Sequence, residues 1–113
     1  MSKAKDVSRL SELAQLMLDH RLGQLRASAD QLEQSRMQLG AINRAGDPAD
    51  LDPVMAARVG LGYERWADVR RAELNLVIAR QTAAWLGAQS EARTAFGRVQ
   101  ALQGVAERLK TLR

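Results

Sequence analysis

The sequence predicts an all-α protein that folds as an antiparallel two-helix coiled-coil hairpin. Three observations lead to this fold class. The two prolines, Pro48 and Pro53, lie close together near the middle of the 113 residues, and the segments on either side contain none. Phe, Trp and Tyr together make up only 4% of the chain, which does not suit the core of a β-sandwich. Both segments place apolar residues at alternating spacings of four and three, as coiled-coil helices do.

The first helix is predicted from about residue 7 to residue 44. Its apolar residues follow the coiled-coil spacing with Arg36 filling one place, and they are Leu18, Leu22, Leu25, Ala29, Leu32 and Leu39. Upstream, Leu10, Leu13 and Met17 keep the spacing but lie one position out of phase. We therefore expect the apolar stripe to drift around the helix in its first turns.

A connector is predicted over residues 45–62. Gly46 suits the end of a helix, while Asp52 suits an N-cap and Pro53 the first helical position after it. These signals predict one short helix over about residues 53–59. Gly60 and Gly62 then let the chain bend before the second long helix.

The second long helix is predicted over about residues 63–112. Residues at the coiled-coil spacing are Leu74, Ile78, Gln81, Trp85, Ala88, Ala92, Ala95, Val99, Leu102, Ala106 and Leu109. Only Gln81 is polar, so this series predicts the seam, by which we mean the residues that face the other helix. Pairing across the turn places Leu18 near Ser90, and Leu39 and Ile42 near Trp66. The last turns of the second helix are expected to project beyond the first.

Nothing in the sequence indicates an enzyme. Cysteine is absent, which excludes disulfides and thiolate metal sites, and His20 is the only histidine. Glycine-rich phosphate-binding motifs are missing, and a two-helix hairpin encloses no pocket for a catalytic group. We therefore predict no catalytic, cofactor-binding or metal-binding residues and no small-molecule substrate. No apolar run reaches the roughly 20 residues of a membrane span, and no signal peptide is recognised, so a soluble protein is expected.

The net charge is +4 and the sequence pI is about 10.3, with arginines scattered along the whole chain. Scattered charges of both signs are typical of solvated helix faces, and a basic surface favours acidic protein partners. Three classes of function remain open: an adaptor for a particular apparatus, a general coiled-coil adaptor or dimerisation module, and a basic nucleic-acid-associated protein. Phosphate contacts would make binding by the third class fall steeply with salt.

A second apolar row on the later helix is the most informative departure from a simple hairpin. It consists of Val69, Ala72, Leu76, Ala79 and Ala83. In the register that puts Ile78 and Trp85 in the seam, this row points outward, where polar residues belong in an isolated hairpin. Either the stripe drifts near the turn, so that Trp66, Val69 and Leu76 join the seam locally, or the row is a partner-binding face.

Several segments resemble the FliJ family of bacterial flagellar type III export and its YscO-type injectisome relatives. They are Leu10-Ser11-Glu12-Leu13-Ala14, the leucine-spaced first helix, Arg65-Trp66 at the start of the second helix, and Ala95-Phe96-Gly97-Arg98-Val99-Gln100-Ala101-Leu102. The resemblance covers nearly the whole chain. It implies a cytoplasmic hairpin, similar to the stalk of a rotary ATPase, that links the export ATPase to the membrane export gate. It also implies a role as a general export chaperone.

The same resemblance assigns partners to two regions. The surface that docks on the export gate falls by position on Ala72, Leu76, Ala79 and Ala83, several of which are only alanine. These four belong to the outward row, so the whole row, with Val69, is predicted to bind the gate. The export ATPase is expected to bind the open end of the hairpin, through Arg9, Leu10, Arg108, Leu109 and Lys110. The protein would then lie at the cytoplasmic face of the inner membrane, held there by its partners.

Overall fold

The protein is a two-helix antiparallel hairpin. The computed structural model describes residues 2–44 and 52–112. Helix α1 spans Lys3–Arg44 and helix α2 spans Pro53–Thr111, and the described residues contain no strand. The predicted fold class is therefore confirmed.

Helix α2 begins at Pro53, ten residues before the predicted start. The Asp52 carboxylate accepts hydrogen bonds from the backbone N–H of Val54 at 2.8 Å and of Met55 at 3.4 Å, so it caps the helix. The helix then continues through Gly60 and Gly62, and the expected short helix followed by a bend is wrong. A glycine inside a helix costs about 1 kcal/mol, which the long packed helix tolerates. Predicted connector residues 45–51 lie outside the described residues.

Helix α1 begins earlier than predicted, at Lys3 rather than near residue 7. The Ser2 hydroxyl accepts a 3.4 Å hydrogen bond from the backbone N–H of Lys5 and so caps the first turn. Helix α2 ends at Thr111, one residue before the predicted boundary.

The described contacts divide the chain into two compact units, one of which combines Met1–Ala29 with Ala84–Arg113. We call it the terminal unit. Its core consists of Ala14, Leu18, Ala95 and Val99, with Leu22 and Leu102 packed against it. Leu18 thus packs against residues around Ala95, five residues beyond the expected Ser90. The Arg21 guanidinium lies 3.6 Å from the Glu91 carboxylate and joins the two helices nearby.

The apolar stripe of α1 does not drift in the terminal unit, contrary to expectation. Ala14 is buried and Val7 and Ser11 are half-buried, whereas Leu10, Leu13 and Met17 are exposed. Stepping back from Leu18 by four, three and four gives Ala14, Ser11 and Val7, so one unbroken heptad phase serves the whole helix. A change of phase would have required a local distortion of the coil.

The last turns of α2 do not project, which corrects a second expectation. Leu109 and Lys110 line a groove of about 620 Å³ together with Lys3, Ala4 and Val7 of α1. The first turn of α1 therefore lies beside the last turns of α2. The earlier start of α1 at Lys3 supplies the residues that cover them.

The second unit spans Asp30–Ala83, and we call it the turn unit. Its core consists of Ile42, Ala67 and Leu74, with Leu39 and Tyr63 packed against it. Ser35 is buried where Arg36 was expected, and Arg36 is exposed. Seven residues separate Leu32 from Leu39, so the seam position between them can be filled either by Ser35, three residues after Leu32, or by Arg36, four residues after it. Burying Ser35 keeps the Arg36 charge in water.

The predicted seam of α2 is confirmed at every position. All eleven residues from Leu74 to Leu109 that keep the coiled-coil spacing are buried or half-buried. The one polar member, Gln81, has a buried side-chain oxygen that accepts no hydrogen bond within the described part of the chain.

Candidate partner-binding surfaces

The outward apolar row of α2 lies in the turn unit and is exposed along its length. Val69 is 61% exposed and Leu76 is 55% exposed, and the three alanines between and beyond them are also exposed. We call Val69, Ala72, Leu76, Ala79 and Ala83 the outer row. Residues three and four apart share one helix face, so the five side chains form a narrow apolar strip.

The rotation of α2 in the turn unit is fixed by contacts on its other side. Ala67 and Leu74 are 0% and 2% exposed, so they face α1. The Arg70 guanidinium donates to the Gln38 side-chain oxygen at 3.3 Å, and Arg71 Nε donates to Asn43 Oδ1 at 2.9 Å. These contacts bring one side of α2 to α1 and leave the outer row in solvent.

Local drift of the seam near the turn is excluded by the same contacts. Trp66, Val69 and Leu76 are all more than half exposed, so none of the three belongs to the seam. Ala67 and Tyr63 pack near Leu39 and Ile42 in the place expected for Trp66. The Trp66 ring instead packs against Tyr63, with ring centroids 5.6 Å apart and a 43° angle between the planes.

The five residues predicted to bind the ATPase do not form one continuous surface. Leu109 and Lys110 line the groove beside the first turn of α1. Arg9 is exposed but lies nine residues from the seam residue Leu18, which places it on the opposite side of α1. Arg108 is exposed and its Nε donates to the Gly104 carbonyl at 3.4 Å. The charges are therefore presented separately around the terminal unit.

The fifth of these residues, Leu10, belongs to a surface that the sequence analysis did not recognise. A second groove of the terminal unit, of about 300 Å³, runs between α1 and α2. Its lining residues are Leu10, Leu13, Ala14, Met17, Ala95, Arg98, Ala101 and Leu102. We call it the lateral groove. The out-of-phase spacing of Leu10, Leu13 and Met17 was the signal for it, because three large apolar residues outside the seam need another explanation.

Within residues 2–44 and 52–112, no group of side chains is placed to hold a metal ion. No three His, Cys, Asp or Glu residues come together there, and His20 is exposed. No helix within those same residues has the length and apolar character needed to cross a membrane.

Comparison of the chain with protein-family models, with curated proteins and with solved structures finds no match.

Proposed function

We propose that the chain is a non-enzymatic coiled-coil stalk or adaptor of the bacterial flagellar type III export apparatus. In this role it docks to the export ATPase and to the export gate and acts as a general export chaperone. It works in the cytoplasm, at the inner membrane, where its partners hold it. The sequence resemblance to the FliJ family and the two-helix hairpin support this proposal.

The outer row carries the proposal. A seam already buries the apolar residues that hold the hairpin together, so the fold itself gives no reason for Val69 and Leu76 to be apolar. Burying a leucine side chain contributes about 2 kcal/mol, and Leu76 is the largest side chain of the row. The three alanines allow the backbone of a partner to come close. The row therefore has the form of a strip with one anchor.

Leu76→Glu tests the proposal directly. We expect its affinity for the purified cytoplasmic domain of the export gate from the same organism to fall by about tenfold or more, because a charge replaces the anchor. Met37→Glu is the matched control, since Met37 is an exposed apolar residue of the same unit on the other helix. Isothermal titration calorimetry measures both affinities, and motility of the mutant strains measures the effect in cells.

Three results would contradict the proposal. The first is that the wild-type protein binds neither the gate domain nor the export ATPase. Equal affinities of Leu76→Glu and Met37→Glu would remove the outer row from the gate contact. A large loss of thermal stability in Leu76→Glu alone would place Leu76 in the fold rather than at a docking surface.

A coiled-coil adaptor or dimerisation module outside export is the second candidate, and the exposed outer row supports it equally. Sedimentation equilibrium separates the two. A concentration-dependent dimer that Leu76→Glu dissociates, together with no affinity for the ATPase or the gate, would favour this second function.

A further inference from the structure

The lateral groove combines apolar walls from both helices of the terminal unit. On α1, Leu10, Leu13 and Met17 are 52%, 55% and 40% exposed and repeat at spacings of three and four. This is the spacing of side chains that face a packed helix. None of the three supports the core of the unit, which is built from Ala14 and Leu18 on the neighbouring face of α1.

The opposite wall is formed by two alanines, one cation and the half-buried Leu102. Ala95 and Ala101 leave room for a backbone to approach, and Arg98 is exposed beside them. Arg98 makes no ion pair with any carboxylate in the described residues. Val99 packs with Ala14, so Arg98 lies level with the stretch between Leu13 and Met17. The cation therefore stands at the middle of the apolar surface.

In the described part of the chain, no carboxylate near the groove pairs with Arg98. Glu12 and Asp19 lie on the same stretch of α1, but five residues before and two residues after Met17 they face the far side of the helix. Glu91 is 3.6 Å from the Arg21 guanidinium, which already opposes its charge. Asp6 lies eight residues before Ala14 on α1, or about 12 Å further along the helix. A ligand that fills the groove thus meets apolar side chains on either side of one arginine, and a carboxylate is the complementary group.

We propose that the lateral groove binds an amphipathic α-helix of a partner protein, which packs as a third helix with its apolar face on Leu13 and Met17 and a carboxylate against Arg98. A helix is the occupant that matches two antiparallel helical walls and a three-and-four spacing. A second copy of the chain fits less well, because symmetric docking of the same groove brings two Arg98 side chains together. The inference does not depend on the proposed function.

The test is selection from a displayed library of amphipathic helices of about three heptads. Apolar residues are fixed at the seam positions, and the flanking positions vary among Glu, Lys and Gln. We expect full-length wild-type protein to select helices with glutamate at a flanking position, and Met17→Glu to weaken their binding about tenfold or more. The Arg98→Glu variant should instead select helices with lysine.

Two neighbouring substitutions are the controls. Leu16→Glu introduces the same charge next to Met17 at an exposed side chain outside the groove, and Arg93→Glu reverses a charge on α2 outside it. Both should bind the selected helices as wild-type protein does, and circular dichroism should show equal helicity for all four variants. A variant that fails to fold is replaced by Met17→Gln, which should also weaken binding of the selected helices, or by Arg98→Gln, which should lose the preference for glutamate.

The proposal is overturned if no helix is selected, or if the selected helices bind Met17→Glu as tightly as wild-type protein. Selection of the same charges by wild-type protein and Arg98→Glu would remove the arginine from the site. A wild-type dimer that Met17→Glu dissociates in sedimentation experiments would show that a second copy occupies the groove.

Discussion

The phenol of Tyr63 donates a 2.6 Å hydrogen bond to the backbone carbonyl of Ile42, 21 residues earlier in the chain. Ile42 lies in the last four residues of α1, whose carbonyl groups have no N–H partner within their own helix. A side chain of α2 therefore caps the end of α1. The same tyrosine packs against the core formed by Ile42, Ala67 and Leu74, so it combines an apolar and a polar contact near the turn.

Tyr63→Phe should lower the free energy of unfolding by about 1 kcal/mol, because the ring contact remains while the half-buried carbonyl loses its donor. Urea denaturation followed by circular dichroism measures the change. Leu61→Ala is the control, since Leu61 is exposed and the change should be close to neutral. Equal stability of Tyr63→Phe and wild-type protein would mean that water replaces the phenol without loss.

Leu74 and Leu76 provide a matched pair on one helix, 2% and 55% exposed. Leu74→Ala should destabilise the protein by about 2–4 kcal/mol, because it opens a cavity beside Ile42 and Ala67. Leu76→Ala should change stability by less than about 0.5 kcal/mol. Thermal and urea denaturation of the two variants measure the difference. Similar losses in both would show that α2 is rotated relative to its contacts with α1.

The register of α2 could be predicted from the sequence because only one stripe from Leu74 onward keeps a continuous coiled-coil spacing. The register of α1 could not, because two apolar stripes compete in its first turns. Large side chains favour Leu10, Leu13 and Met17, but continuity with Leu18 favours Ser11 and Ala14. Packing against α2 selects the phase that contains Ser11 and Ala14, and side-chain size alone does not predict this outcome.

The sequence carries conflicting signals for the start of α2: one residue pair indicates a helix start, and two glycines shortly after it indicate a break. Asp52 and Pro53 correctly marked the start of a helix, and Asp52 caps it. Gly60 and Gly62 suggested a break, but glycine only weakens a helix and does not stop it as proline does.

The outward direction of the outer row followed from the α2 register. The lateral groove was missed because it needs side chains from both helices, and their pairing was predicted five residues away.

Gln81 is the polar member of the α2 seam, and its buried side-chain oxygen lacks a hydrogen bond within the described residues. Gln81→Leu should raise the free energy of unfolding by about 1 kcal/mol, because it removes a desolvated acceptor and adds apolar contact. A polar seam residue also restricts register, so sedimentation should be measured together with the thermal midpoint.

Gln81→Glu is the contrasting variant at this position. It places a charge where the amide is half-buried and should destabilise the protein near neutral pH. Lowering the pH through the ordinary range of a glutamate pKa should recover part of that loss, because the neutral acid avoids the desolvation cost. A destabilised Gln81→Leu would indicate that the amide forms a hydrogen bond that the protein needs.

The basic side chains at the open end can be tested without removing a residue of the seam. A C-terminal truncation would not isolate these charges, because it also deletes Ala106 and Leu109, both half-buried beside the first turns of α1. Reversing the charges of Arg9, Arg108 and Lys110 to glutamate leaves these contacts in place, because all three side chains are exposed.

If the export ATPase binds this end, the triple charge reversal should weaken binding by about tenfold or more in low salt, and the difference should shrink as ionic strength rises. Surface plasmon resonance against the purified ATPase measures both effects. A triple reversal at Arg26, Arg80 and Arg93, which are exposed and belong to none of the proposed surfaces, controls for the overall loss of positive charge. Equal weakening by both triple variants would show that net charge governs the attraction and that the open end is not the docking site.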